Sequence, residues 1–257
     1  MPREKINLNI DVSATVVQGR EVKLPLLKCE AFADVKNDSQ ELEPVMGWIE
    51  IEVRDLKGMV INRGKHEMRS FVNNLIRVLE GIMKDAGGAI TSTSVTDTGG
   101  VSRTAYVEWY SSVGNVRGGG TVMAGLAPDN DSSYGIIVGT GTTPVNLNQV
   151  SLASPIAHGT NVGQLDYDAE SVEDLGLDTS VSPPVYRFRL IRGFKNLSGD
   201  SITINEVGLV ARNYWKDNGG IRNDVKYLIA RDVLPTSYTI PDGGSATVVV
   251  TIEVVLG

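Results

Sequence analysis

The chain has 257 residues, of which 41% are hydrophobic and 21% are charged, and its formal net charge is −7. A chain of this length and composition can bury a substantial core, which excludes wholesale disorder. The acidic balance disfavours non-specific binding of nucleic acid, because such binding depends on Lys and Arg displacing counterions from phosphates. The 28 glycines, together with many Ser, Thr and Asn, favour strands and tight turns over long helices.

Cysteine content and hydropathy bear on disulfide bonding and on the localisation of the protein. The chain carries one cysteine, Cys29, so no disulfide within the chain is expected. The first five residues are not followed by an N-terminal hydrophobic region of the kind found in signal peptides. The longest apolar runs fall far short of the roughly 20 residues that span a bilayer. We expect a protein that is made in the cytoplasm, has no membrane partner and stays soluble until it is assembled.

The first 45 residues are predicted to form a segment of their own. Ile6-Asn-Leu-Asn-Ile-Asp-Val12 alternates apolar and polar residues, as a strand with one apolar face does. This strand either pairs within its own fold or reaches a neighbouring subunit as an arm, since residues 34–43 have the composition of a linker. We therefore divide the chain into a strand or arm segment, 1–45, and a single β-sandwich domain, 46–257.

The domain opens with a predicted hairpin. Ile49, Ile51 and Val53 share one face of an alternating strand, and the residues between them, with Trp48, share the other. Asp55-Leu-Lys-Gly58 has the composition of a turn and leads into the apolar run that begins at Met59.

One amphipathic helix follows, at about residues 70–86. Ser70 is a candidate N-cap, and Gly87-Gly88 is a candidate C-terminal stop. Apolar residues recur between them at three- and four-residue spacing and predict a buried stripe: Phe71, Leu75, Val78, Leu79 and Ile82.

The middle of the chain is predicted to be an elaborated, partly ordered excursion rather than a simple linker. Residues 87–132 are rich in Gly, Ser and Thr and form an excursion from the sandwich, interrupted by a β-favouring cluster of Tyr106, Val107, Trp109 and Tyr110. Strand patterns resume at Tyr134 to Val138 and continue through Gly163 to Tyr167. An acidic loop is predicted next, before the prolines at 183–184, and contains Asp168, Glu170, Glu173, Asp174 and Asp178.

The last third of the chain has the clearest β pattern. Strong turn signals separate four candidate strands, Val185 to Lys195, Ser201 to Arg212, Val225 to Asp232 and Ser245 to Val255. The last of these has one fully apolar face, which a second sheet would bury. The predicted fold is mainly β, an antiparallel, jelly-roll-like β-sandwich with one helix.

Basic residues gather in the first of these four strands. Alternation places Arg187 and Arg189 on one face, with Arg192 and Lys195 close by, whereas the apolar face holds Tyr186, Phe188 and Leu190. Given the acidic chain, we interpret these cations as a solvated strand face or a salt-bridging interface and expect no direct contact with nucleic acid.

Four ordered fragments carry a family resemblance. They are Tyr134-Gly-Ile-Ile-Val-Gly-Thr-Gly-Thr-Thr-Pro144, Ser154-Pro-Ile-Ala-His-Gly159, Asn205-Glu-Val-Gly-Leu209 and Leu228-Ile-Ala-Arg-Asp232. Their order and spacing resemble those of tailed-bacteriophage virion proteins over roughly residues 134–256, and more weakly back to Trp48. The resemblance implies a structural part of a virus particle, whereas residues 1–45 and 87–132 have no clear counterpart in that pattern.

Candidate catalytic motifs are weak. Asp97-Thr-Gly99 is the tripeptide of aspartic proteases, but it stands alone in a polar segment and is interpreted as an ordinary turn. Gly139-Thr-Gly-Thr-Thr143 could offer backbone amides to an anion, yet it lacks the ending of a phosphate-binding loop. His66-Glu67 has no second histidine four residues on. We therefore expect no catalytic residues and no cofactor.

Candidate metal and partner sites are weak as well. Asp129-Asn-Asp131 and Asp166-Tyr-Asp168 offer oxygen ligands, but too few for calcium, so we expect solvated acidic loops and no metal site. Four aromatic residues could form a sugar- or partner-binding platform, although core or subunit interface is the commoner role of strand aromatics: Trp109, Tyr110, Tyr214 and Trp215.

Three functions follow in order of preference. The first is a non-enzymatic virion subunit in the tail, neck or head surface, with copies of itself and other virion proteins as partners, assembling through sheet edges and apolar surfaces. The second is a receptor- or glycan-binding module at a fibre or tail tip, with a host surface glycan as ligand. The third, an enzyme such as a protease or cell-wall hydrolase, has the least support from the residues.

Overall fold

The computed structural model describes residues 45–68, 70–83, 92–106, 121–216 and 222–256. The described chain forms twelve strands and one helix. In chain order they are β1 Val45–Arg54, β2 Val60–Met68, α1 Asn73–Met83, β3 Ser92–Thr96, β4 Ser102–Tyr106, β5 Thr121–Ala124, β6 Gly135–Gly139, β7 Asp166–Tyr167, β8 Ser171–Asp178, β9 Val185–Lys195, β10 Ile202–Lys216, β11 Arg222–Ile240 and β12 Ser245–Val255. The predicted N-terminal strand or arm lies outside the described residues.

Two antiparallel sheets pack face to face. Sheet A has the order β2-β1-β12-β9, and β7 and β8 both pair with the far side of β9. Sheet B has the order β11-β10, and β5 and β6 both pair with the other side of β10. A separate hairpin joins β3 to β4. The mainly β, antiparallel sandwich with one helix is thus confirmed.

Alternation along the strands decides which side chains enter the core. In β1, Ile49, Ile51 and Val53 are buried, and in β12 the buried residues include Val248 and Val250. These residues meet the inward face of sheet B, which removes a large apolar area from water and is the main favourable term in folding.

Sheet B is covered on its other face too. Ile136 and Val138 of β6 belong to the core between the sheets, whereas Ile137 packs on the opposite side with Leu152 and Val72. A strand buried on both faces needs apolar residues at every position, which explains the unbroken Gly-Ile-Ile-Val-Gly run of β6.

The helix differs in detail from its prediction. It begins at Asn73 rather than near Ser70, because the chain just before it extends the edge of β11. The carbonyl of Ser70 accepts the N–H of Arg231, and the N–H of Val72 donates to the carbonyl of Ile229, so Ser70 is no N-cap. Val78 is buried as expected, whereas Leu79 is exposed. Gly87-Gly88 lies outside the described residues.

The predicted acidic loop is also corrected. Residues 171–178 form β8, an edge strand that pairs with β9, and the predicted strand from Gly163 shrinks to β7. The acidic side chains of β8 face cations of β9, and this attraction favours pairing where composition alone indicated a loop.

No helix in the described ranges is both long and apolar enough to cross a membrane.

Candidate functional site

A buried ion pair lies where the four motif fragments meet. Glu206 comes from β10 and Arg231 from β11, and both side chains are 0% exposed. Arg231 Nε donates to Glu206 Oε2 over 2.5 Å. Two charges with no access to water are stable only if further hydrogen bonds satisfy their remaining donors and acceptors.

Two loops supply those hydrogen bonds, one in the fragment 134–144 and one that runs from Gln149 into the fragment 154–159. Glu206 accepts the backbone N–H groups of Gly141 at 3.0 Å, Ala153 at 3.0 Å and Ser154 at 2.7 Å. Arg231 donates to the side-chain oxygen of Gln149 at 2.8 Å and to the carbonyl of Thr143 at 3.0 Å. The pair therefore fastens both loops to the end of sheet B, and we call this cluster the Glu206–Arg231 network.

The network explains the glycines of the Thr/Gly turn. A Cβ atom on Gly139 or on Gly141 would overlap Glu206 Oε1, which leaves no space for any side chain. One backbone N–H of the turn, that of Gly141, binds an anion, and the anion is the protein's own carboxylate.

A second buried cation joins the two sheets. Arg192 of β9 points inward, where alternation places it but where charged residues are rare. It donates to the carbonyls of Tyr134 and Ile136, each at 3.0 Å, and stacks over the ring of Tyr167 at 4.8 Å from the centroid. Grouping Arg192 with surface cations was wrong, because carbonyl oxygens satisfy this guanidinium inside the protein.

Glu170 lies beside this cation, just before β8. Its Oε2 accepts the N–H of Ile136 at 3.0 Å, and its buried Oε1 has no hydrogen-bond partner among the described residues. Burial raises the pKa of Glu170 to about 7, and the N–H of Ile136 and the charge of Arg192 oppose that rise. The carboxyl group therefore titrates near neutral pH.

The other cations of β9 point outward and are paired. Arg187 Nη1 lies 3.0 Å from Asp178 Oδ2, and its Nε contacts Glu253. Lys195 Nζ lies 2.5 Å from Asp168 Oδ1. The pairs at Arg187 hold its pKa above the usual range. Arg189 meets Glu173 at 3.5 Å, so the salt-bridging interpretation of this face is the one that the contacts support.

A groove crosses the outward face of sheet A. It has a volume of about 640 Å³ and is bounded by β8 on one side and by Trp48 and Lys65 on the other. Lys65 Nζ lies 4.8 Å over the Trp48 ring. On the floor, Thr251 Oγ1 and Arg189 Nε are buried without a hydrogen-bond partner among the described residues. Alternation had placed Trp48 on the polar face of one strand and Arg187 and Arg189 on one face of another, but it does not show that these faces lie side by side.

The predicted aromatic platform is only partly within view. Trp109 and Tyr110 lie outside the described residues. Tyr214 and Trp215 lie near the end of β10, where their backbones pair with β11. Their side chains are not among those described, so this platform stays a prediction.

The weak catalytic candidates have structural contacts. Asp97 accepts the N–H groups of Gly99 and Val101 in the β3–β4 turn and binds Arg103, which chiefly holds its pKa below the usual range. His66 Nε2 lies 2.5 Å from the hydroxyl of Tyr238, and burial lowers the pKa of His66. The Asp97 tripeptide is thus the ordinary turn that was expected.

The acidic pairs show no metal-binding arrangement. Asp131 accepts from the backbone of Ser133 at 2.7 Å, and Asp166 lies 3.6 Å from His158. Within the described ranges, no three His, Cys, Asp or Glu side chains are grouped so that they could hold a metal ion.

Comparison with protein-family models, curated proteins and solved structures gives no match for this chain.

The Glu206–Arg231 network leads to a stability prediction. Arg231→Met leaves a buried carboxylate without its cation and should reduce the free energy of unfolding by about 3–5 kcal/mol. Lys195→Met, which breaks an exposed pair, is the matched control and should cost at most about 1 kcal/mol. Urea unfolding measures both, and equal losses would show that the network is not a special determinant of stability.

Glu170 leads to a pH prediction. Folding raises the pKa of Glu170 from 4.5 to about 7. The contribution of this carboxyl group to the free energy of unfolding is therefore fully present below pH 4.5 and is lost as the pH rises through 7. Glu170→Gln removes the cost of ionising a buried carboxyl group, and it should therefore be more stable than the wild type at pH 8, by an amount that shrinks towards pH 5. Urea unfolding at a series of pH values measures the difference. Parallel stability curves for the two proteins between pH 5 and pH 8 would contradict this assignment.

Proposed function

We propose that this protein is a non-enzymatic structural subunit of a tailed-bacteriophage virion, placed in the tail, neck or head surface. It would be made in the host cytoplasm and join copies of itself and other virion proteins. The observation that carries the proposal is the convergence of the four resembling fragments on the Glu206–Arg231 network. The resembling fragments hold the fold together, and residues with such a role are the ones that proteins of one fold share. The resemblance therefore supports a common fold.

The sheet edges supply the surfaces for assembly. In the described part of the chain, β2 pairs only with β1, and β8 pairs only with β9. Edge strands with unpaired backbone groups are templates for pairing with another chain. Exposed apolar side chains line β8, including Val172 and Leu177. Covering them with neighbouring subunits would remove apolar area from water.

A non-enzymatic role accords with the use of the buried charges. Glu206 and Arg192 are held by backbone groups of their own chain, and Asp97 is engaged in its own turn. A nucleophile or general base needs an accessible atom beside a substrate. These groups instead stabilise the fold.

The proposal predicts self-association. The chain mass is 27.6 kDa, and light scattering of the purified protein should give a multiple of it at micromolar concentration. Electron microscopy of the same sample should show rings, trimers or a repeating lattice. A protein that keeps the mass of one chain up to millimolar concentration would refute the assembly role.

The groove supports a second candidate function, a glycan-binding module. Trp48 supplies an aromatic surface, and the charged side chains beside it, such as Lys65 and Glu50, can bind hydroxyl groups of a sugar. In this function the ligand would be a host surface glycan.

A glycan array tests this second candidate. Binding at millimolar sugar should fall at least about tenfold in Trp48→Ala. Leu197→Ala, which truncates an exposed side chain on the turn after β9, is the control and should bind as the wild type does. No binding by the wild type, or equal binding by both variants, would remove the groove from consideration.

A further inference from the structure

We propose that copies of this chain join head to tail, with β8 of one copy pairing in parallel with β2 of the next, so that sheet A continues from subunit to subunit. This inference depends on the proposed assembly function and adds which surfaces meet, in which direction and with what symmetry. The partner is a second copy of the chain.

The two strands run in the same direction at opposite edges of sheet A. Among the described strands, sheet A runs β2-β1-β12-β9-β8, so β2 and β8 form its opposite edges. Every neighbouring pair along this path is antiparallel. Four antiparallel steps separate β2 from β8, so the two edge strands run in the same direction.

That shared direction fixes the geometry of a continuous sheet. If the next subunit adds its β2 to β8 and keeps its core face on the same side, the new pair must be parallel. Pairing β8 with β8 of another copy instead requires a two-fold axis, makes an antiparallel pair and stops at a dimer. The head-to-tail contact repeats and gives a ring if the rotation closes.

Charge distinguishes these two alternatives. The outward side chains of β2 include Arg63 and Lys65, which are 73% and 54% exposed. The β8 edge carries three carboxylates, Glu173, Asp174 and Asp178. Opposite charges meet when β8 approaches β2, whereas carboxylates meet carboxylates when β8 approaches β8. The head-to-tail contact is therefore the one that the electrostatics favour.

The existing partners of most of these charges leave them available, although Arg187 already holds Asp178 at 3.0 Å. Arg189 is 3.5 Å from Glu173, and the hydroxyl of Tyr186 donates to Asp174 without neutralising it. Lys65 is 3.1 Å from Glu50 in an exposed pair. Exposed pairs of this kind are weak, so a neighbouring subunit can compete for the same charges.

The sheet register indicates which residues meet. One row of cross-strand partners runs from β2 to β8 and consists of Glu67, Trp48, Thr251, Arg189 and Glu173. If the next subunit added its β2 to β8 without a shift in register, its Glu67 would lie beside Glu173, and the two carboxylates would repel each other. A shift of two residues keeps every side chain on its own face and brings Lys65 beside Glu173. Closed sheets require a stagger of this kind between strands.

Apolar surface adds to the contact. Val172 and Leu177 of β8 are 53% and 54% exposed, and Ile61 of β2 is 50% exposed. An added strand covers side chains on both faces of an edge, so pairing would bury part of this area. Charge would select the partner edge, and apolar burial would hold it.

Disulfide trapping tests the contact directly. In a Cys29→Ser background, Lys65→Cys and Glu173→Cys are combined in one chain and the protein is mildly oxidised. The shifted parallel register brings the two positions within the short range that a disulfide spans. We expect a ladder of covalent dimers, trimers and higher species on a non-reducing gel. Each single-cysteine variant is the matched control, and neither should form more than trace dimer.

Charge reversal provides a second, independent readout. Arg63→Glu with Lys65→Glu reverses β2, and Glu173→Lys with Asp174→Lys reverses β8. Each reversed protein alone should fall to the mass of one chain, whereas an equimolar mixture of the two should recover the assembled mass. All the changed side chains are outside the core, and circular dichroism checks that each variant is folded.

The outcomes distinguish the assembly role from the proposed contact. A wild-type protein that never assembles refutes the proposed function and this inference together. A wild type that assembles while Glu173→Cys alone gives abundant dimer refutes the head-to-tail contact and leaves the assembly role standing. An assembled mass that the β2 reversal does not change has the same consequence.

Discussion

The hydrogen-bonded ion pair between Glu206 and Arg231 is the interaction on which the organisation of sheet B depends. Taking both charges out of water costs several kcal/mol each, and mutual attraction alone does not always offset that cost. Here three backbone N–H groups, a side-chain oxygen and a carbonyl complete the coordination. The loops that supply these groups can adopt few other conformations without leaving a buried charge unsatisfied.

Arg192 plays a corresponding part between the sheets. It begins in sheet A and ends on carbonyls of the strand β6 and of the segment before it, so it links the two layers through hydrogen bonds as well as packing. Arg192 lies between the two sheets, and Arg231 lies on the other face of sheet B beneath the loops, whereas the described edges β2 and β8 have no comparable constraint. The fold is thus fixed at its centre and open at its sides. This division suits a subunit whose neighbours complete it.

The sequence predicted the regular parts of the fold well, for identifiable reasons. The bounds of β9 and β12 match their predictions because strict alternation ends at strong turn signals. The helix start was misplaced, since the residues around Ser70 satisfy the edge of β11, a contact between distant segments that local propensity does not contain. Strand β8 was not predicted because its acidic composition is typical of a loop. Its pairing depends on the cations of β9 opposite it, which the local sequence does not show.

The buried charges were harder to predict. Alternation put Arg192 on the apolar face of β9, and a charged residue at that position was a signal that could have been followed. Arg231 ends an apolar run of β11 in a similar way, whereas Glu206 follows the polar Asn205 and gives no such signal. Recognising them as partners requires the pairing of β10 with β11 and the return of the loops, neither of which periodicity reveals.

Hydrogen exchange of the backbone amides, measured on dilute and on concentrated protein, tests most directly whether the open edges are the assembly surfaces. The account predicts that β2 and β8 exchange quickly when dilute and become strongly protected when concentrated, while β10 and β12 stay protected in both samples. Edge amides that exchange equally fast in the assembled sample would contradict it.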